Sequence, residues 1–226
     1  MSKGLFITAT GTDIGKTYVT ALIVKKLRDA GINAGYYKAA LSGAEETENG
    51  WIPGDAAHVA QIANIPEKPE NMVSYIYKTA VSPHLAALRE GNPVEMSKVK
   101  ADYKASLEKF SYVTVEGSGG IICPIRWDDE HILLEDIIKG LELSTIVISS
   151  AALGSINACV LTIAYLRQQG IEVRGIILNN YDPKDFMQTD NKKMMEELTK
   201  VPVLACVKEG DTEMDIDLNV LKDLYK

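Results

Sequence analysis

The chain repeats one pattern from end to end: a short apolar run rich in β-branched residues, followed by a longer segment with helical periodicity. The apolar runs cover residues 4–9, 33–38, 112–116, 144–149, 173–178 and 202–207. The helical segments cover residues 16–30, 54–63, 82–90, 95–109, 133–141, 154–169, 184–200 and 216–224. Short apolar strands separated by helices form parallel sheets that are covered on both faces. The pattern therefore predicts an α/β fold with a doubly wound, mostly parallel sheet and helices on both faces.

The segment from residue 40 to residue 75 interrupts this alternation. It contains the stretch SGAEETENGWIPG and has prolines at positions 53, 66 and 69, a composition typical of surface loops. We predict a mobile surface segment around one short helix, with no domain boundary in it. Because the chain has neither internal repeats nor low-complexity tracts, it is expected to form a single domain over residues 1–226.

A possible phosphate-binding loop follows the first apolar run. The sequence GTDIGKT, residues 11–17, places Gly11 and Gly15 in a turn before a helix that starts at Lys16. Unpaired N–H groups and the helix dipole stabilise an anion at such a helix start. In this interpretation Gly15 lets the backbone approach a phosphate, Lys16 neutralises β- and γ-phosphate oxygens, and the Thr17 hydroxyl binds Mg²⁺. The alternative is an ordinary turn with an exposed lysine, and the GKT tripeptide alone does not decide between them.

Two carboxylates are candidate partners of a metal ion at this loop. Glu116 ends an apolar run and precedes a glycine turn, and open α/β sheets bind their ligands at the carboxyl ends of strands. Asp55 opens a predicted helix after Pro53 and Gly54. An aspartate at a helix start is more commonly an N-cap than a ligand, so both roles stay open for Asp55.

Composition limits the class of partner. The chain has 24 basic and 31 acidic residues without a basic cluster, which argues against a nucleic-acid surface. Cys123, Cys159 and Cys206 are too far apart for a CxxC metal site and are expected to be buried thiols. No apolar stretch reaches the roughly 18 residues of a membrane helix, and the amino terminus shows no signal-peptide pattern. We therefore expect a cytoplasmic protein that acts on small molecules, with no nucleic acid and no membrane as partner.

Seven motifs, in this order, resemble the dethiobiotin synthetase family of phosphate-loop enzymes. They are FITATGTDIGKT, YYKAALSG, GDAAH, SPHLAA, VEGSGG, LGSIN and GIILNN. The resemblance runs through most of the chain. It implies an ATP- and Mg²⁺-dependent reaction that joins CO₂ to 7,8-diaminononanoate and yields dethiobiotin, ADP and phosphate. In that reaction an amine forms a carbamate, ATP phosphorylates the carbamate, and the second amine closes a cyclic urea as phosphate leaves. Such phosphoryl transfer needs alignment and charge neutralisation, which lysines and a metal would supply.

The resemblance also implies roles for individual residues. Lys38, in the pattern Lys-x-x-x-Ser-Gly, matches a catalytic lysine, and Ser42 matches a serine that contacts the substrate. Without this motif, Lys38 would be expected to be a solvated lysine at a strand end. The implied catalytic set is Lys38, Lys16 and Thr12, and Thr12 also belongs to the substrate contacts. The implied metal ligands are Thr17, Asp55 and Glu116. The implied nucleotide contacts are Asp13, Ile14, Gly15, Lys16, Thr17, Tyr18, Asp55, Glu116, Gly117, Ser118, Gly119, Asn179 and Asn180, of which Asn179 matches the asparagine that reads the adenine edge.

The motif LGSIN starts a predicted helix directly after an apolar run, and its free N–H groups suit the carboxylate at the far end of the substrate. In the family this helix belongs to the neighbouring subunit, which implies a homodimer with shared sites. The implied contacts are Gly154, Ser155, Ile156 and Asn157. Ser155 could instead be only a helix cap.

The sequence departs from the family pattern at several places. Ala9 stands at the first glycine of the family loop, and Ala39 follows Lys38 where proline is frequent. The stretch ACVKEGD, residues 205–211, replaces a Gly-x-Ile-Pro segment that lies against adenine in the family. A tyrosine that helps to bind the substrate tail is replaced near Met194. These positions concern the loop entry, base selectivity and tail binding.

Two other functions are compatible with a phosphate loop. A regulatory ATPase that binds a protein partner would carry a second lysine at the position of Gly11, and it would not need the motif of Lys38 and Ser42. A ligase related to the amidotransferases of cobalamin synthesis usually has an additional glutaminase domain, for which 226 residues leave no room. We therefore predict dethiobiotin synthesis rather than either alternative.

Overall fold

Residues 2–48 and 50–226 are described by the computed structural model, and they alternate between strands and helices. The strands are β1 (Lys3–Ala9), β2 (Ala34–Ser42), β3 (Glu45–Thr47), β4 (Gly50–Ile52), β5 (Val73–Tyr77), β6 (Tyr112–Glu116), β7 (Pro124–Trp127), β8 (His131–Leu133), β9 (Thr145–Ser149), β10 (Val173–Leu178) and β11 (Val203–Cys206). The helices are α1 (Lys16–Asp29), α2 (Gly54–Ala63), α3 (Pro83–Glu90), α4 (Met96–Lys109), α5 (Leu134–Gly140), α6 (Ser155–Gln168), α7 (Phe186–Thr199) and α8 (Leu218–Asp223). A short 3-10 helix covers Pro69–Met72.

Seven of these strands form one parallel sheet, in the order β11-β10-β9-β1-β6-β2-β5. β1 lies near the middle of the sheet. β2 and β5 are added on one side of it, β6 then pairs between β1 and β2, and β9, β10 and β11 follow on the other side of β1. In a doubly wound sheet the carboxyl ends of the strands at this reversal border the ligand crevice. The predicted α/β fold with a mostly parallel, doubly wound sheet is confirmed.

The inner strands owe their continuous apolar sequences to burial on both faces. Every residue of β9 is buried, as is every residue of β1 except Lys3. Helices cover both sides of such a sheet, so no face of an inner strand meets water. The edge strand β5 instead alternates buried and half-buried residues along the sequence VSYIY. Its weaker apolar signal explains why the sequence did not predict it.

The prediction of an irregular segment at residues 40–75 is wrong apart from its one short helix, which is α2. β2 continues to Ser42, the antiparallel hairpin β3–β4 follows, and β5 begins at Val73 after α2 and the 3-10 helix. The strands of this hairpin have three residues each, too few for a periodic pattern, and β5 is held by parallel pairing with β2. Asn49, which is part of this segment, lies outside the described residues. The hairpin β7–β8 was not predicted either.

The alternative role of a helix cap, left open by the sequence, is excluded for Asp55 and Ser155. Pro53 occupies the N-cap position of α2, so Asp55 lies inside the first turn and does not cap it. Gly154, with a φ of 86°, occupies the N-cap position of α6, and Ser155 is the first helical residue. Both side chains are therefore free for other roles.

The cysteine prediction is correct for two residues out of three. Cys123 and Cys159 are buried, whereas Cys206 is half-buried. Burial raises the pKa of the Cys159 thiol to about 12, so this thiol is unreactive at neutral pH. Among the described helices, none is long and apolar enough to cross a membrane.

Glu67 ties the segment before β5 to the end of α4. Its Oε1 accepts hydrogen bonds from the Asn71 side chain at 2.7 Å and from the Lys68 backbone at 3.0 Å. Its Oε2 accepts one from the Lys109 ammonium at 2.5 Å. The bonds from Asn71 and Lys109 lower the pKa of Glu67 to about 2. The ionised carboxylate therefore stabilises the fold.

Glu67→Gln is expected to lower the free energy of unfolding at pH 7 by about 1 kcal/mol, because it removes a charged acceptor shared by three donors. Since the folded pKa is depressed from 4.5, the contribution is present above pH 4.5 and is lost as the pH falls towards 2. Urea denaturation should show a larger difference from wild type at pH 7 than at pH 3, where part of the contribution is already lost. The matched control is Glu70→Gln, an exposed glutamate without a hydrogen-bond partner in the described part of the chain. An equal loss at both pH values would contradict the electrostatic origin.

Candidate active site

The loop between β1 and α1 has the geometry of an anion-binding turn. Gly15 occupies the N-cap position of α1 with a φ of 82°, and Asp13 has a φ of 59°. Among the described residues at this helix start, no side chain caps the free N–H groups and no acidic residue lies in the first turn. The positive end of the helix is therefore available to an anion. Lys16, the first residue of α1, adds a cation beside it.

A cavity of about 360 Å³ lies against this loop at the carboxyl ends of β1 and β2. The lining residues are Thr12, Asp13, Gly15, Lys16, Thr17, Lys38, Leu41, Ser42, Asp55, Ser118 and Gly119. All of them except Leu41 were predicted site residues. Leu41 is an apolar residue within a strand, and the sequence gives no signal of its position in the site. The fold thus brings the loop, the motif of Lys38 and Ser42, and Asp55 into one cavity.

Lys38 lies within β2, where the sheet register places it beside Glu116 of β6. Its side chain is 4% exposed. The Lys38 ammonium donates to Asp55 Oδ2 at 2.5 Å and to Glu116 Oε1 at 2.7 Å. The expectation that the second strand ends at Lys38 is wrong, because β2 continues to Ser42. The alternative role of a solvated strand-end lysine is excluded by its burial.

Electrostatics within this cluster favour the charged forms of Lys38 and Asp55. Burial opposes the charge of Lys38, but the Glu116 and Asp55 carboxylates outweigh it and raise the pKa of the ammonium above its usual value. Burial likewise opposes the ionisation of Asp55, but the Lys38 ammonium outweighs it and lowers the pKa of this carboxyl. The pKa of Lys16 is lowered by burial, which Glu116 only partly offsets. An anion in the cavity would therefore stabilise the charged form of Lys16.

The oxygen atoms next to Lys38 are of the kind that a hard cation prefers. The Thr17 hydroxyl donates to Glu116 Oε1 at 3.0 Å, so Thr17 and Asp55 both approach the Lys38–Glu116 pair. Glu116 is 1% exposed, and its buried Oε2 has no hydrogen-bond partner among residues 2–48 and 50–226. No group of three or more Asp, Glu, His or Cys side chains suited to a metal occurs in the described chain. Mg²⁺ requires fewer protein ligands, because it usually takes one or two carboxylates and completes its shell with water and phosphate.

Comparison with known proteins decides the family. Residues 3–213 match a family model described as an AAA domain. An ATP-dependent dethiobiotin synthetase of Clostridium botulinum strain Eklund 17B is 53% identical over 225 residues, and that of strain Alaska E43 is 51% identical. Each alignment covers 100% of this chain and 99% of the relative. The chain belongs to the dethiobiotin synthetase family. The family, ligase activity and use of ATP that the sequence motifs predicted are confirmed, and the two alternative functions are not supported.

Solved structures of other proteins share the fold of this dethiobiotin synthetase family member. The septum site-determining protein MinD of Pyrococcus horikoshii, complexed with Mg-ADP, has a TM-score of 0.59 at 16% identity over 92% of this chain and 82% of its own. A ParA family ATPase of Chlorobium tepidum has a TM-score of 0.58 at 11% identity over 99% of this chain and 89% of its own. At such low identity these similarities support the phosphate-loop α/β fold and nothing further.

Several residues that the dethiobiotin synthetase motifs imply as nucleotide contacts lie outside the cavity lining. Asn179 is 3% exposed, and its Nδ2 donates to the Ile14 carbonyl at 2.9 Å beneath the loop. Tyr18 is not among the lining residues, and its hydroxyl donates to the Asp211 carbonyl. Gly117 donates its backbone N–H to β1 at the Ile7 carbonyl, 2.9 Å away. Asn180 borders a separate cavity of about 410 Å³ with Tyr181, Asp182, Gln188, Lys208 and Glu209. Ile14 and Glu116 are likewise not among the lining residues.

The residues of the dethiobiotin synthetase motif LGSIN also lie apart from the cavity around Lys16. They form the start of α6, where Gly154 is exposed and Asn157 is exposed one turn later. The Ser155 side chain is buried, and its hydroxyl has no hydrogen-bond partner within the described ranges. Leu153 and Leu161 are 88% and 60% exposed. The N–H of Ser155 donates to the Ala152 carbonyl at 3.1 Å, so the free N–H donors of this helix start follow Ser155. Exposed apolar side chains lie before the helix at Leu153 and further along it at Leu161.

The departure from the dethiobiotin synthetase pattern at the loop entry is structurally neutral. Ala9 is the last residue of β1, is fully buried, and is in register with Ile148 of β9. It is not among the described residues with positive φ, so its backbone conformation does not require glycine. The loop proper begins after Ala9, and its glycine with positive φ, Gly15, is retained.

Proposed function

We propose that this chain, as one domain, converts 7,8-diaminononanoate, CO₂ and ATP into dethiobiotin, ADP and phosphate. The observation that carries the proposal is the buried Lys38, held by Asp55 and Glu116 at the base of a cavity whose other wall is the phosphate loop. A fixed buried ammonium facing an anion-binding helix start suits a reaction in which two anions must meet. The cavity is accessible to small molecules and lies at the edge of the sheet where ligands bind.

The anions that take part in this reaction can be matched by cations and N–H donors of the cavity. An amine nitrogen of the substrate attacks the carbon of CO₂ and loses a proton, which gives a carbamate anion. A carbamate oxygen then attacks the γ-phosphorus of ATP, and ADP leaves. Lys38 would neutralise the carbamate and the transferring phosphoryl group, while Lys16 and the loop N–H groups would hold the β- and γ-phosphates. Finally the second amine attacks the carbamoyl carbon and loses a proton, and phosphate leaves as the urea ring closes.

The roles of the other lining residues follow from their positions. Thr12 and Ser42 present hydroxyl groups to the cavity and would orient the substrate. Ser118 is anchored to β2 by a 2.8 Å hydrogen bond to the Ala40 carbonyl, which would fix the turn that ends at Gly119 against the nucleotide. The loop residues Asp13, Ile14 and Gly15, together with Tyr18, Gly117, Asn179 and Asn180, would complete the nucleotide site.

We place a Mg²⁺ ion between the loop and the two carboxylates. Thr17, Asp55 and Glu116 are the residues that would hold it, and the unpartnered buried Glu116 Oε2 in the described chain fits an additional positive partner. When bound, the ion would neutralise charge on the phosphate oxygens. Lys38 already bridges Asp55 and Glu116, so the same carboxylates would position both the ammonium and the ion.

We propose that the carboxylate of the substrate binds at the start of α6, and that this helix belongs to a second subunit. The N–H groups that follow Ser155 and the side chain of Asn157 would bind it, with Ile156 packing against the substrate tail. The N–H of Ser155 itself donates to the Ala152 carbonyl at 3.1 Å, and its buried side chain would support the turn. Because this helix start lies apart from the cavity within one chain, a homodimer would complete each site. Exposed Leu153 and Leu161 fit such a contact. Full activity in a preparation that sediments as a monomer would contradict the shared site.

The proposed function is tested by the substrate dependence of ATP use. Purified protein with ATP and Mg²⁺ should release ADP only when both diaminononanoate and bicarbonate are present, and mass spectrometry should detect dethiobiotin in equal amount. ADP release that ignores either substrate would contradict the proposal. The small-molecule chemistry involves neither nucleic acid nor membrane, and we place the enzyme in the cytoplasm.

Asp55→Asn is expected to raise the Mg²⁺ concentration for half-maximal activity several-fold, because an amide oxygen binds Mg²⁺ more weakly than a carboxylate does. Titration of activity with MgCl₂ at saturating ATP measures this effect. The matched control is Asp29→Asn, an aspartate that pairs with Lys25 on the far part of α1 at 2.5 Å. An unchanged Mg²⁺ requirement in Asp55→Asn would leave this carboxylate as a partner of Lys38 alone.

A further inference from the structure

Asn179 connects the end of β10 to the phosphate loop from behind. Its backbone N–H donates to the Ser149 carbonyl at the end of β9, which fixes the residue in the sheet. Its side chain reaches the loop, where Nδ2 donates to the Ile14 carbonyl at 2.9 Å. The side chain is buried, and its Oδ1 has no hydrogen-bond partner in the ranges 2–48 and 50–226. The amide is therefore enclosed between the sheet and the loop.

The contact with Ile14 determines the direction of a backbone donor. The Ile14 carbonyl and the Gly15 N–H belong to one trans peptide, so they point in opposite directions. Because Asn179 holds the carbonyl on the buried side, the N–H of Gly15 faces the opposite side, and Gly15 lines the cavity. A Cβ atom on residue 15 would overlap Asn179 Nδ2. Close packing and the hydrogen bond together fix the orientation of the peptide between Ile14 and Gly15.

We propose that Asn179 is a positioning residue for the phosphate loop: its amide holds the Ile14 carbonyl so that the Gly15 N–H is aimed at the triphosphate. This inference rests on the proposed function, because it takes a triphosphate as the ligand of the loop. It adds to the base contact that the family motif implies, and it predicts a different measurable effect. A residue that only reads the base matters only to ligands that have one, whereas a residue that positions the loop matters to any triphosphate.

Inorganic tripolyphosphate separates the two roles because it has no base. Isothermal titration calorimetry in the presence of Mg²⁺ should show that Asn179→Ala binds tripolyphosphate about 10-fold more weakly, the effect of a lost hydrogen bond that leaves a buried carbonyl unpaired. ATP affinity should fall by at least the same factor. Asn179→Leu, which keeps the volume of the side chain and removes the donor, should give the same loss. Wild-type affinity for tripolyphosphate in either folded variant, with weakened binding of ATP alone, would overturn the inference.

Asn191 provides a matched control. It is similarly buried, and its Nδ2 donates to the Ala151 carbonyl at 2.8 Å, which holds the segment before α6 instead of the phosphate loop. Asn191→Ala should lower thermal stability without changing tripolyphosphate affinity. If it weakens tripolyphosphate binding as much as Asn179→Ala does, the effect is general destabilisation and the inference fails. A wild-type protein that binds tripolyphosphate but forms no dethiobiotin would contradict the proposed function and leave the positioning role intact.

Discussion

Lys16→Ala is expected to lower kcat by about 10²–10³-fold, the typical cost of removing one electrostatic contact to a transition state. Lys16 stands at the start of α1, half-buried at the cavity wall, where its ammonium adds to the charge of the helix end. Because charge on the γ-phosphoryl group is redistributed in the transition state, the loss should affect kcat as well as the KM for ATP. Steady-state kinetics with both cosubstrates saturating measure it. The fold should be preserved, since Lys16 makes no ion pair in the described part of the chain.

Lys25→Ala is the matched control for this prediction. Lys25 lies on the same helix and pairs with Asp29 at its far end, with an exposed fraction of 24%. Its removal should leave kcat and the KM for ATP unchanged and should have little effect on stability, because exposed ion pairs contribute little. Near-normal kcat in Lys16→Ala would rule out the phosphate loop as the site of catalysis.

Lys38→Met is expected to reduce kcat/KM for diaminononanoate by at least about 10²-fold, because it removes the cation closest to the proposed carbamate. It should also destabilise the fold by about 3 kcal/mol in the absence of Mg²⁺, since a buried carboxylate then loses its partner. Added Mg²⁺ should restore part of this stability, because the ion would be attracted to the same carboxylates. Thermal unfolding with EDTA and with MgCl₂, followed by activity assays, measures both effects.

Two variants test whether the effects of Lys38→Met on activity and stability come from its pairing with the buried carboxylate. Lys98→Met removes a lysine whose ion pair with Asp102 is exposed, and it should change neither activity nor the response to Mg²⁺. Adding Glu116→Gln to Lys38→Met should destabilise the fold less than the sum of the two single changes, because the unpaired charge is removed with its partner. Additive losses would show that Lys38 and Glu116 act independently.

Much of the fold and the phosphate-binding wall of the site could be predicted from the sequence, because the relevant patterns are local. The inner strands are buried on both faces and so read as continuous apolar runs. Gly15, Lys16 and Thr17 are consecutive, and Glu116 is marked by the end of β6. What the sequence could not predict depends on partners that are distant along the chain. β5 and the β3–β4 hairpin have weak patterns of their own and are stabilised by pairing.

Burial of Lys38 is another non-local property. A lysine in a strand is expected to reach solvent, and this one is buried because carboxylates on α2 and β6 neutralise it. The role of Asp55 follows from the same cluster, since a helix-start aspartate resembles a cap until its partner is known. The contact of Asn179 with the phosphate loop could likewise not be predicted from the sequence, because its partner Ile14 lies 165 residues away along the chain.

The central claim is that Lys38 and the phosphate loop bring a carbamate oxygen to the γ-phosphorus of ATP. The most direct test is to follow oxygen-18 from doubly labelled CO₂ in a short reaction, before CO₂ exchanges its oxygen with water. If the carbamate attacks ATP, one labelled oxygen becomes part of the released phosphate and the other stays in the urea carbonyl of dethiobiotin. Mass spectrometry should therefore find label in both products in equal amount. Phosphate that carries oxygen from water instead of from CO₂ would show that ATP is merely hydrolysed at this site, and would contradict the account.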